Sequence, residues 1–214
     1  MKKYSHLTAG IIAGVVFLLI YNVSVFAHQC NEIRNDTIRL HVIANSDSEE
    51  DQELKLKVRD AVLAAGQDIF DGSVTKENAE AKITAQLKAL EKAANDTIRE
   101  NGKSYTARAM LVTEYFDTRT YNDTVTLPAG KYLALKIVLG NGDGKNWWCV
   151  MFPSLCLPAA EKTDIQAIKN VYSEKEENIV TKSEKYEYRF KIIEIIEKVR
   201  NKVDNQFQGD IAYH

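Results

Sequence analysis

A chain of 214 residues, 45% hydrophobic and 27% charged, carries enough apolar material for one domain with a real core. Its 28 Lys and Arg against 30 Asp and Glu leave a net charge of −2, and the balance is more acidic still once Lys2 and Lys3 are set aside. That excludes a reader of nucleic acid or of anionic lipid, since both need a basic patch.

Lys2 and Lys3 precede an apolar run from Leu7 to Tyr21, followed by Asn22, Val23, Ser24, Val25, Phe26 and Ala27. This is the form of a signal peptide over 1–27, and Val25 and Ala27 fit a cleavage site of the A-x-A kind between Ala27 and His28. The alternative is an uncleaved N-terminal anchor. The run to Tyr21 would span only about 22 Å of a hydrocarbon layer roughly 30 Å thick, but extension to Ala27 would reach across. Either way the bulk of the chain is expected outside the cytoplasm. Cys30 raises the possibility of a lipid-anchored protein, against which Gln29 argues. Residues 28–36 are expected to be a flexible mature N-terminus, with Cys30 unpaired.

The globular domain is expected over 37–158. From Ile38 to Ala44, Ile38, Leu40 and Val42 alternate with Arg39 and His41, the pattern of a half-buried strand. Asn45, Ser46, Asp47 and Ser48 follow, all of them turn or N-cap types, and Glu49, Glu50 and Asp51 then suit the first turn of a helix. Leu54, Val58, Ala61, Val62, Ala65 and Ile69 continue at helical spacing. Capping explains one such polar residue but not four in a row, so Asn45 to Ser48 is a candidate binding turn, with Arg39 and His41 on an exposed face beside it.

A second helix is predicted over Thr75–Asn101 with Gly102 as its stop, then strands over Tyr105–Phe116, Lys131–Leu139 and Trp147–Phe152. The glycines at 140, 142 and 144 precede a strand and not a helix, so a tight hairpin in a meander is expected there in place of a phosphate cradle. Trp147 and Trp148 are adjacent and must face opposite ways, so both enter a core only if the sheet is covered on both sides. An exposed one would anchor a protein partner well. Residues 159–185 are charged and weakly periodic, a flexible or loosely helical connector. Phe190, Ile192, Ile193, Ile196, Val199 and Val203 then mark a C-terminal helix within 186–214 whose stripe docks on the sheet or on a partner. The expected fold is α+β: a mixed or antiparallel sheet of about four strands with two long helices, plus the C-terminal helix.

No convincing active site emerges. His41 is the only histidine inside the predicted domain; a triad with Asp47 and Ser46 or Ser48 lacks a G-x-S-x-G elbow, and Cys149 with His41 lacks any supporting motif. Metal-ligand spacings are missing, so no catalytic residue, metal or cofactor is expected. Cys149 and Cys156 are a candidate disulfide, provided their Cα atoms lie within about 7 Å; two buried free thiols are the rival reading.

RLHVIANSDSEEDQELKLKVRDAV at 39–62 and PAGKYLALKIVLGNGDGKNWWCVMFPSLC at 128–156 together resemble the stage II sporulation protein R family of endospore-forming bacteria. Asp117 and Ser154 depart from its pattern, where proline is more usual. The resemblance implies a signal exported to the space between forespore and mother-cell membranes. There it would activate a membrane-embedded aspartic protease, which matures the sigma-E factor. With Asn45 to Ser48, Trp147, Trp148, Cys149, Arg39 and His41 as the candidate contacts, the chain is expected to bind that protease and do no chemistry itself. The rival class is a cell-wall hydrolase or peptidoglycan-binding domain.

Overall fold

The computed structural model describes residues 2–70, 75–121, 123–155 and 165–211. In chain order these form α1 (Lys2–Asn35), β1 (Ile38–Ile43), α2 (Glu49–Ala65), α3 (Lys76–Glu100), β2 (Ala107–Phe116), β3 (Arg119–Tyr121), β4 (Val125–Leu127), β5 (Gly130–Leu139), β6 (Asn146–Phe152), α4 (Ile165–Val171), α5 (Glu174–Thr181) and α6 (Glu187–Ile211). The result is the expected α+β architecture. A four-stranded mixed sheet has the order β2-β5-β1-β6, with β1 parallel to β5 and the other neighbours antiparallel.

That order corrects the meander. β5 and β6 are consecutive in sequence but β1 lies between them, so the glycine-rich segment after Leu139 is a bridge over the end of β1 and not a tight hairpin. The apolar pattern of β5 and β6 shows which face is buried but carries nothing about which strand is the neighbour.

One sheet face is the main core. Ile38, Leu40 and Val42 of β1, with Leu135, Ile137 and Leu139 of β5, pack against Leu54, Val58 and Val62 of α2 and Ile83, Leu90, Ala94 and Ile98 of α3. The two helices begin as their sequences dictate: Ser48 accepts from the Asp51 N–H and Thr75 from the Asn78 N–H.

The lower half of the opposite face is covered by a second core. Phe26, Cys30 and Ile33 of α1, Ile179 and Val180 of α5, Phe190 and Ile193 of α6, and Val125 and Leu127 of β4 pack together there. Residues 28–35, expected to be flexible, are therefore the end of a continuous helix with Cys30 and Ile33 fully buried. The connector is likewise ordered where described: Ser173 and Glu176 form a reciprocal capping box that starts α5, and Ile168, Tyr172, Ile179 and Val180 are core. Polar and charged residues such as Lys169, Asn170, Glu174 and Lys175 fill the solvent positions of these short helices, which hides their few apolar anchors from a periodicity reading. On α6 the apolar stripe splits. Phe190 and Ile193 dock, whereas Ile192, Ile196, Val199 and Val203 are exposed.

Candidate functional site

The polar turn after β1 is a fastening. Asp51 is its hub, 4% exposed. Its Oδ2 accepts from Asn45 Nδ2 at 2.9 Å and Ser46 Oγ at 2.6 Å, and its Oδ1 from the Tyr105 hydroxyl at 2.7 Å. Burial raises the Asp51 carboxyl, but those three donors outweigh it and hold the group below the usual aspartate range. The bridge over β1 is pinned to the same turn: the Asn141 N–H donates to Asn45 Oδ1 at 3.1 Å, the Gly144 N–H to the Ala44 carbonyl at 3.0 Å, and the Lys145 N–H to Asp47 Oδ1 at 2.7 Å. A Cβ on Gly140, whose φ is +53°, would collide with the Asn45 side-chain amide, and one on Gly144 with the Ser46 carbonyl. The run Asn45 to Ser48 is thus explained inside the fold: Ser48 caps the helix, Ser46 bonds the Asp51 hub, and Asn45 and Asp47 hold the bridge.

The two candidate patches are nevertheless neighbours, because Asp47 holds the residue just before β6. On that strand Trp147 and Trp148 point to opposite faces and both are half-buried. Trp147 packs on the main core with the Arg59 guanidinium 4.6 Å above its ring. Trp148 lies on the other face, 5.7 Å from the His41 ring and 4.2 Å under the Arg119 guanidinium. Cys149 is buried on the main-core side and disulfide-bonded. Cys156, the residue expected to pair with it, lies outside the described residues.

Arg39 is not on an exposed face: it is completely buried, its guanidinium 4.1 Å from the Phe116 ring centroid and 5.0 Å from that of Tyr132, with Tyr121 accepting a hydrogen bond from it. Alternation puts Arg39 opposite the main core as expected, but the β3–β4 ribbon, invisible to periodicity at three residues per strand, closes over it. His41 is 7% exposed, also less than expected. Its Nδ1 lies 2.5 Å from Glu114 Oε1 and its Nε2 2.9 Å from Asn146 Oδ1, while Lys136 Nζ donates to Glu114 Oε2 at 2.8 Å. Burial pushes the Glu114 carboxyl up, but the hydrogen bonds from His41 and Lys136 prevail and keep it below its ordinary range.

These residues define the open upper half of the second sheet face. The cross-strand row Met110, Lys136, His41 and Trp148 runs over all four strands, and the next row holds Arg108, Val138, Ile43 and Asn146. A polar centre of His41, Glu114 and Lys136 is thereby ringed by half-buried Met110, Val112, Val138, Ile43 and Trp148, with exposed Arg108, Asn146 and Arg119 at the rim. Sequence reasoning found His41 and Trp148 and missed Glu114, Lys136, Asn146 and Arg119. The signal for two of them was present: Glu114 and Lys136 each sit at the non-core parity of a largely apolar strand.

The arrangement is a mixed apolar and polar platform, and it assembles neither the triad nor the thiol pair considered from the sequence. His41 faces Glu114 and Asn146, not Asp47, and Cys149 is on the opposite side of the sheet. Among the described residues no group of three or more His, Cys, Asp or Glu is placed to hold a metal ion.

The family model for stage II sporulation protein R matches residues 34–162, from the end of α1 past β6 and so across the whole sheet. The chain belongs to that family. Stage II sporulation protein R of Bacillus subtilis (strain 168) is 36% identical over 160 residues, covering 72% of this chain and 71% of the relative. No solved structure matches the chain. Membership makes this a sporulation protein, and its N-terminal apolar helix is compatible with export.

Proposed function

We propose that this member of the stage II sporulation protein R family is an exported sporulation signal that activates a membrane-embedded aspartic protease on its extracytoplasmic side. The signal meets the protease in the space between the forespore and mother-cell membranes, and the activated protease then matures pro-sigma-E. The observation that carries the reading is the open sheet face around His41, Glu114, Lys136 and Trp148, in a chain of this family led by an apolar helix. It has the make-up of a protein-docking platform: an aromatic anchor and aliphatic ground around a fixed ionic centre, with arginines at the rim.

Activation requires differential binding. A ligand with equal affinity for the inactive and active arrangements of the protease shifts nothing, so the platform must fit the active arrangement better. The chain's modest net charge favours recognition by shape over long-range steering. The chain contributes no bond-breaking step of its own.

Photo-crosslinking from position 119 or 136 in sporulating cells tests the reading, because both side chains reach the platform without holding the core. Capture of the protease is expected. A fully active chain that crosslinks to cell-wall fragments from those positions, and never to the protease, would transfer the reading to peptidoglycan binding.

A further inference from the structure

The segment that resembles a removable leader is built into the folded domain. α1 is continuous from Lys2 to Asn35, and its first part is apolar and exposed, with Leu7, Phe17 and Tyr21 all at least 60% accessible. From Phe26 onward the same helix turns one face inward. Phe26 is 2% exposed, Cys30 and Ile33 are fully buried, and the three recur at the i, i+4, i+7 spacing of one stripe. Phe26 stacks on Tyr186 with ring centroids 5.6 Å apart and meets Phe190 edge-on at 5.5 Å. Further along, Arg34 donates to the Ala129 carbonyl at 2.9 Å and pairs with Glu197 of α6.

Cleavage between Ala27 and His28 would cut this helix inside its packed region. Phe26 would leave with the discarded piece, and the buried stripe would lose its first anchor, one turn before Cys30, together with its contacts to Tyr186 and Phe190. We infer that the helix is not cut there, and that α1 stays in place as a single membrane-spanning anchor whose occupant is the hydrocarbon of a bilayer.

The dimensions fit. The helix is long and apolar enough to cross a membrane. Counted from Leu7 to Ser24, it spans about 27 Å at 1.5 Å per residue, close to the roughly 30 Å hydrocarbon thickness. Lys2 and Lys3 then lie on the cytoplasmic side, as positive flanks prefer, and the domain on the other. At the exit point Asn22, Val23 and Phe26 share a small crevice with Arg189, Ile192 and Ile193. The Arg189 guanidinium lies 5.7 Å from the rings of both Phe26 and Tyr186, which sets a tyrosine and a cation at the level of the headgroups. The domain would thus be held beside the membrane surface, and a membrane partner would meet it at a raised effective concentration. This inference stands apart from the identity of that partner.

The test uses the full chain produced with its own N-terminus in a bacterial host. Isolated membranes are washed with alkaline carbonate, the intact mass of the chain is measured, and maleimide labelling of Cys30 is followed by peptide mapping in mild detergent and in denaturant. The expected result is a chain that keeps residues 1–27, stays with the washed membrane, and labels at Cys30 at least about tenfold more slowly when native, as a buried thiol should. A mature N-terminus at His28, or anywhere beyond Tyr21, overturns the inference. So does release by carbonate, or native labelling of Cys30 as fast as in denaturant.

Discussion

The Asn45 side chain occupies the space that a Cβ on Gly140 would need, while its Oδ1 accepts from the next N–H, that of Asn141, at 3.1 Å. The contact joins the end of β1 to the bridge that must pass over it. A strand inserted between two sequence neighbours needs its exit covered by a crossing loop, and the buried backbone groups of that crossing must find partners. The polar turn supplies them.

Gly140→Ala is therefore expected to be costly. A left-handed φ and a collision with Asn45 act together, and a loss of about 2–4 kcal/mol is predicted from denaturant unfolding. Gly144→Ala should destabilise by the collision alone, without the φ penalty. Unchanged midpoints in both variants would remove the bridge from the account.

Asp51 gives the domain an acid-sensitive point. Its folded carboxyl is held below the ordinary value, so its stabilisation is fully present above roughly pH 4–5 and is lost as pH falls through the depressed folded value. Asp51→Ala should cost about 3 kcal/mol at neutral pH, since Asn45, Ser46 and Tyr105 lose a charged acceptor together. Asp51→Asn should flatten the decline in unfolding free energy between pH 5 and 3 relative to the parent chain. An equally steep decline in the variant would assign the acid sensitivity elsewhere.

Arg39 and Trp148 separate folding from docking. Arg39→Ala opens a cavity among Phe116, Tyr121 and Tyr132 and should lower stability by about 3 kcal/mol, reducing activity only through the folded fraction. Once folding is restored by lower temperature, its activity should return. Trp148→Ala removes a half-buried ring from the platform, so its activity should stay low at every temperature. Recovery of Trp148→Ala on cooling would make that ring a folding residue too.

The two long core helices, the longer strands and the parity of their buried faces were readable because each rests on local periodicity: Leu40 and Val42 inward, Arg39 and His41 outward. Topology was not, because nothing between Leu139 and Asn146 states that β1 lies between the strands it joins. The burial of Arg39 depends on the short β3–β4 ribbon, and the order of α1 past Ala27 depends on partners more than a hundred residues away, Tyr186 and Phe190. For the site, alternation exposed the right face of β1 and β6. It did not show that Glu114 and Lys136, from two other strands, complete the ionic centre with His41.

The central claim is that the sheet face bearing Trp148, and not the opposite face bearing Trp147, meets the protease. Its most direct measurement is pro-sigma-E processing in sporulating cells that carry Trp148→Ala or Trp147→Ala, each at matched levels of folded chain. The account predicts that processing is abolished by Trp148→Ala and retained with Trp147→Ala. Normal processing with Trp148→Ala, or equal loss in both, would contradict it.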